Sequence, residues 1–184
     1  MRVTGGSAKG QQLILPRKFN IRPTTDRTRE AIFSILASLA NSWTRGLDLF
    51  AGTGALGLEA LSRDMEWVDF VDQEPQCCAI IKQNLEKLGL AQNARIHCCS
   101  VLKALTFLEN EYDIVFMDPP YSDMSIKGLV AQLDSSKLIG DSTLIVVSHS
   151  SRVQMSDRYG SLHITKKKRY GDTGLSVYRR EAYN

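Results

Sequence analysis

Hydrophobic positions change their period along this chain. Two short apolar patches, in Met1-Arg2-Val3 and Gln12-Leu13-Ile14-Leu15, flank the glycine-rich stretch Gly5-Gly6-Ser7-Ala8-Lys9-Gly10. That order predicts a small β-hairpin turning at the glycines. Pro16 and Pro23 keep the next stretch extended, and Thr24, Thr25 or Asp26 can then cap a helix. Within it Ile32, Phe33, Ile35, Leu36 and Leu39 recur at helical spacing and form one apolar face.

From Gly46 the pattern alternates. Short apolar runs stand at Leu47–Phe50, Val68–Val71, Ile96–Cys99, Ile114–Met117 and Leu144–Val147, with helix-like segments between them. The clearest helix is Pro75–Leu88, with Ile80, Ile81, Leu85 and Leu88 on one face and Gly89 placed to end it. Strands alternating with helices predict βαβ units and a parallel sheet covered on both faces. The end differs: Leu162–Tyr170 and Leu175–Arg180, joined by Gly171-Asp172-Thr173-Gly174, predict an antiparallel hairpin. The expected organisation is an N-terminal hairpin and helix over residues 1–45 and an α/β domain over residues 46–184.

Composition narrows the class. With 184 residues, 43% hydrophobic and 23% charged, the chain fits an ordinary globular protein and excludes intrinsic disorder. No apolar run approaches the roughly 20 residues of a membrane span, and the N-terminus has no secretory apolar stretch, so a cytoplasmic setting is expected.

A net charge of +3 hides a partition. Residues 1–45 hold eight Lys/Arg and two acids, residues 46–151 hold seven and fifteen, and residues 152–184 hold eight and three. Two basic flanks around an acidic centre hint at a polyanionic partner. The cysteines form two adjacent pairs, Cys77-Cys78 and Cys98-Cys99, and His97, His149 and His163 are scattered. Neighbouring residues point in different directions, so no metal site is expected and the thiols read as reduced.

The strongest cofactor signal is Leu47-Asp48-Leu49-Phe50-Ala51-Gly52-Thr53-Gly54-Ala55-Leu56-Gly57, an apolar strand running into glycines and then a helix. Gly52, Gly54 and Gly57 satisfy GxGxxG, and Asp72 follows twenty residues after Gly52, placed to accept from ribose hydroxyls. Strand, glycine loop, helix, strand and acid in order point to a nucleoside, either NAD or S-adenosylmethionine. An NAD oxidoreductase needs a substrate domain for which little chain is left.

A second motif carries the chemistry. The strand Tyr112–Met117 delivers Asp118-Pro119-Pro120-Tyr121 to its C-terminal end, where open α/β sheets bind ligands. A nucleobase amine is a poor nucleophile because its lone pair is delocalised into the ring. The Asp118 carboxylate and Pro119 carbonyl can accept its N–H groups and favour pyramidal nitrogen, while Tyr121 can stack on the base. Asp118 can also take the released proton.

Phe50-Ala51-Gly52-Thr53-Gly54 and Asp118-Pro119-Pro120-Tyr121 resemble the cofactor and catalytic motifs of amino-group methyltransferases. Arg2-Val3-Thr4-Gly5-Gly6, Ala8-Lys9-Gly10, Arg22-Pro23-Thr24-Thr25-Asp26-Arg27 with Arg29-Glu30, Gly54 through Arg63, and Tyr170-Gly171-Asp172-Thr173 make the chain similar to one group. This is the RsmD family of small-subunit (16S) ribosomal RNA guanine-N2 methyltransferases. The resemblance covers nearly the whole chain.

It implies a doubly wound, mostly parallel Rossmann-like methyltransferase sheet and methyl transfer from S-adenosylmethionine to a guanine N2. The expected substrate is 16S ribosomal RNA, within an assembling 30S subunit, and the expected protein is a monomer without metal. Asp48, Phe50, Ala51, Gly52, Thr53, Gly54, Ser100 and Val101 would then line the cofactor. Asp72 would hold the ribose, and Gln73 would lie near the adenosine. Ser100 is a departure, being shorter and neutral where the family often has an acid or amide. Arg2, Lys9, Arg22, Arg27 and Arg29 are expected to contact RNA phosphates. Lys166-Lys167-Lys168-Arg169 lies on a predicted strand, so at most two of the four share a face. Trp43 and Trp67 are expected to pack rather than stack on bases. Two other readings stay open: methylation of adenine N6, cytosine N4 or protein glutamine, and a non-catalytic RNA-binding assembly factor.

Overall fold

A computed structural model describes residues 1–16, 25–39, 43–120 and 126–180. Chain order gives α1 (Asp26–Leu39), β1 (Arg45–Leu49), α2 (Ala55–Ser62), β2 (Trp67–Asp72), α3 (Pro75–Leu88), β3 (Ala94–Cys98), α4 (Val101–Phe107) and β4 (Tyr112–Met117). α5 (Ile126–Asp134), β5 (Ile139–Ser150), β6 (Arg158–Tyr159), β7 (Leu162–Tyr170) and β8 (Thr173–Arg180) follow. Among the described residues one eight-stranded sheet has the order β3-β2-β1-β4-β5-β8-β7-β6. Its first five strands are parallel, and β8, β7 and β6 add antiparallel pairs.

The apolar runs become the central strands because both sheet faces are covered. Leu47 and Leu49 of β1 and Val115 and Met117 of β4 face one core with α4 and α5 residues such as Ala104 and Val130. Phe70, Ile114 and Phe116 face the other core, with Phe33 and Leu36 of α1, Leu58 of α2 and Ile81 of α3. Val3, Ala8 and Leu13 belong to that second core, so among the described residues the N-terminal segment packs onto the sheet.

Local signals act where expected. The Thr25 hydroxyl accepts from the Thr28 N–H at 3.2 Å and so caps α1. α3 has Pro75 in its first turn and ends at Gly89, whose φ of +69° suits a glycine. The N-terminal hairpin is reduced to a single antiparallel bridge, Arg2 with Gln12. The C-terminal turn is tighter than its four candidate residues, because Tyr170 pairs directly with Thr173 and only Gly171-Asp172 turn. Gly171 has φ +60°, as a two-residue hairpin turn requires. The short strand β6 carries no pattern long enough to read.

Candidate functional site

β1 and β4 are neighbours, with Leu49 opposite Met117. The strand order reverses between them, which makes their C-terminal ends the switch point where open α/β sheets bind ligands. Phe50 through Gly54 leaves β1 there, and Asp118-Pro119-Pro120 leaves β4 one strand away.

The first loop is held in a demanding shape. Phe50 has φ +60°, a left-handed conformation costly for an aromatic residue, and Gly52 and Gly54 have φ +58° and +78°. A Cβ at Gly52 would meet nothing closer than the Phe50 carbonyl at 3.9 Å, so its outer side is open to a ligand. Gly57 has the opposite reason, since a Cβ there would overlap the Phe70 ring. Glycine lets α2 pack directly on β2.

Asp72 ties the loop to the next turn. Its Oδ2 accepts from the Gly52 N–H at 2.7 Å and its Oδ1 from the Glu74 N–H at 2.9 Å. The carboxylate is half-buried at the end of β2 and keeps lone pairs for further donors. Gln73 beside it is exposed.

Asp48 departs from expectation. It is 1% exposed, and its Oδ2 accepts from the Gly57 N–H at 2.9 Å, so it braces the start of α2 beneath the loop instead of lining the cofactor. Burial pushes its carboxyl well above the ordinary value, and the charges of Asp118 and Asp72 push in the same direction. Three carboxylates therefore converge on one rim of the sheet.

The Ser100 departure has a structural role. Its hydroxyl accepts from the Lys103 N–H at 3.3 Å and caps α4, while Val101 behind it is buried. Pro119 is buried and Pro120 exposed, consistent with a rigid turn whose far side faces outward. Tyr121 and Arg22 lie outside the described residues.

The basic residues divide. Arg2 and Arg27 are exposed, as is Lys9. Arg29 is not: its side chain is 0% exposed, pairs with Asp26 at 2.8 Å and Glu59 at 3.8 Å, and donates to the Arg2 carbonyl. Its place among phosphate contacts is corrected, because the guanidinium is committed to a buried network. Glu59, fully buried, also accepts from the Thr4 N–H and hydroxyl at 2.8 and 2.7 Å and from Arg63 at 2.9 Å. It fastens the N-terminal segment to α2.

Sequence reasoning gave no role to Glu59, met only within the run Gly54 through Arg63, or to Asn84, since each looks like an ordinary polar helix residue. Buried Asn84 accepts from the Ile14 N–H at 2.7 Å and donates to the carbonyls of Ile14 and Thr53 at 3.2 Å. It joins the N-terminal segment to the glycine loop. Only their burial identifies these two residues.

The remaining candidates are structural. Trp43 packs against Phe33, and Trp67 donates to Asp69 at 2.9 Å. All four thiols are free; burial pushes Cys77 up to about 11 and Cys78 up to about 12. Among the described residues no helix is long and apolar enough to cross a membrane.

This strand order, glycine loop and acid define a Rossmann-like methyltransferase fold. The solved structure of yhhF from Escherichia coli has a TM-score of 0.87 and 30% identity over 100% of this chain and 99% of its own. A hypothetical protein of Thermus thermophilus has a TM-score of 0.84 and 29% identity over 96% and 98%. A family model described as "Conserved hypothetical protein 95" matches residues 1–179. Ribosomal RNA small subunit methyltransferase D of Escherichia coli K12 is 31% identical over 99% of this chain and 91% of its own. YlbH of Bacillus subtilis 168 is 36% identical over 98% and 99%. The chain belongs to this family, the RsmD family.

Proposed function

We propose that this protein transfers a methyl group from S-adenosylmethionine to the exocyclic N2 amine of one guanine in small-subunit ribosomal RNA. The observation that carries this reading is the pairing of β1 with β4, which sets the glycine loop beside Asp118-Pro119. Neighbouring strands lie about 4.8 Å apart, so a nucleoside on one loop and a base on the other can place donor and acceptor in contact. Homology to an rRNA small subunit methyltransferase supports the substrate class.

When bound, S-adenosylmethionine supplies an electrophilic methyl group on a sulfonium. The chain supplies position and charge. Asp72 takes the ribose hydroxyls while Gly52, locked to it, presents the open side of the loop. Gln73, Ser100 and Val101 border the adenosine end. The Asp118 carboxylate and Pro119 carbonyl accept the two N–H groups of the guanine amine, aim its lone pair, and Asp118 receives the proton released after transfer. Tyr121 stacks on the base. Arg2, Lys9, Arg22 and Arg27 hold phosphates beside the site. The acceptor is RNA in an assembling 30S particle in the cytoplasm, and the protein acts as a monomer without metal.

The test is methyl transfer to 16S RNA and 30S particles lacking the modification, with the product nucleoside mapped by mass spectrometry. N2-methylguanine is expected; N6-methyladenine or N4-methylcytosine would replace this reading. Asp118→Ala should lower turnover by about 10²- to 10³-fold with S-adenosylmethionine affinity retained. Unchanged turnover would remove Asp118 from the chemistry.

A further inference from the structure

The C-terminal basic run is level with the site. Met117 of β4 pairs with Val147 of β5, Val147 with Ser176 of β8, and Ser176 with Lys167 of β7. Lys168 is therefore in the row of Asp118, three strands away, at roughly 14 Å by ordinary strand spacing. A stacked nucleic-acid strand, with one phosphate about every 3.4 Å, covers that gap in about four nucleotides.

The faces are unequal. Lys166 pairs with Val177 and Lys168 with Leu175. Val177 and Leu175 belong to the core shared with α1 and the N-terminal segment, and Tyr170 packs against the same core. Directly paired residues share a face, so Lys166 and Lys168 stand on the side of the sheet that carries Arg2, Lys9 and Arg27. Lys167 and Arg169 face the other way. Lys167 lies 3.5 Å from Asp157, and the Arg169 Nε donates to the Gly171 carbonyl at 2.9 Å.

Lys166 and Lys168 are exposed, and among the described residues neither has an ion pair or a hydrogen-bonding partner for its ammonium. No Asp or Glu occurs between Ser161 and Gly171. β6 pairs only with Leu162 and His163, so the outer edge of β7 beyond them carries no partner strand among the described residues.

We propose that Lys166 and Lys168 form a second RNA-backbone contact, on the face of the N-terminal basic residues and level with Asp118, so that the substrate strand runs along the rim from one basic flank to the other. This rests on RNA being the substrate. It assigns the C-terminal flank a role separate from the cofactor and the methyl-transfer step.

The test compares wild type, Lys166→Ala/Lys168→Ala and Lys167→Ala for binding to unmethylated 16S RNA across a salt series, alongside S-adenosylmethionine binding. Each lost phosphate contact lowers the slope of log affinity against log salt by about 0.7–0.9, so the double variant should lose about 1.5. Its KM for RNA should rise by about tenfold at low salt with kcat unchanged, and Lys167→Ala should change less. Lys166→Arg/Lys168→Arg should bind as wild type does, because the charges are kept. Unchanged slope and KM in a double variant that still binds S-adenosylmethionine would overturn the proposal while leaving the activity intact. Wild type that binds this RNA with the predicted slope difference but never methylates it would uphold the contact and sink the activity. Wild type that does not bind it would sink both.

Discussion

Asp48 and Asp69 are buried carboxylates with opposite electrostatic fates. Burial raises both, but Asp69 also accepts from His97 at 2.8 Å, Trp67 at 2.9 Å and Tyr112 at 3.0 Å, and these bonds hold its carboxyl below the ordinary value. Asp48 has only the Gly57 N–H against desolvation and two like charges, and is raised. The native state therefore holds its Asp48 proton where the unfolded chain has released it. Stability from this group is complete below the unfolded carboxyl value near 4 and is lost as pH rises toward the native value. Asp48→Asn keeps an acceptor for Gly57 and removes that loss. The urea midpoint of the variant relative to wild type should improve between pH 4 and 8; a constant difference would contradict the assignment. The acid at position 48 was legible as part of the glycine motif, but its burial was not.

Among the elements, α2 and α5 each contain a glycine and use it differently. A methyl at Gly57 would overlap Phe70, which is fully buried and has no room to move. Gly57→Ala should cost about 1–2 kcal/mol, because the overlap outweighs the better helix propensity of alanine. Nothing lies within 4 Å of the corresponding position at Gly128, so Gly128→Ala should stabilise by about 0.5 kcal/mol. Thermal denaturation of both variants separates packing from propensity, and equal shifts would refute the contrast. The helix Pro75–Leu88 was readable from end to end because its apolar face, first-turn proline and terminal glycine all agree. β6, with two residues, offered no periodicity to read.

Over the whole molecule, the N-terminal segment and the sheet form one body through Glu59. This carboxylate is 0% exposed and gathers Thr4, Arg63 and Arg29. Glu59→Ala would leave the Arg29 guanidinium buried without that partner, a change that costs about 3–5 kcal/mol when a buried pair is broken. Urea unfolding should show that loss, and Glu59→Gln should recover part of it. A loss below about 1 kcal/mol would mean the network does not hold the segment. The basic N-terminal flank is thereby held next to the glycine loop, where the Thr53 hydroxyl lies 3.7 Å from the Met1 sulfur.

Sequence alone determined what local chemistry can encode: the alternation of strands and helices, the glycine loop with its acid, Asp118-Pro119-Pro120 at a strand end, and the uneven distribution of charge. Each depends on residues close together in the chain. Tertiary structure decided which polar residues are buried, because burial comes from neighbours distant in sequence. It removed Arg29 from the RNA contacts, moved Asp48 beneath the loop, and revealed Glu59 and Asn84. It also chose which lysines of the C-terminal run look toward the N-terminal flank. The register of β7 against β8 shifts between Ile164 and Lys166. One extra residue in a strand reverses the faces of all that follow, and without that bulge Lys166 would share a face with Ile164.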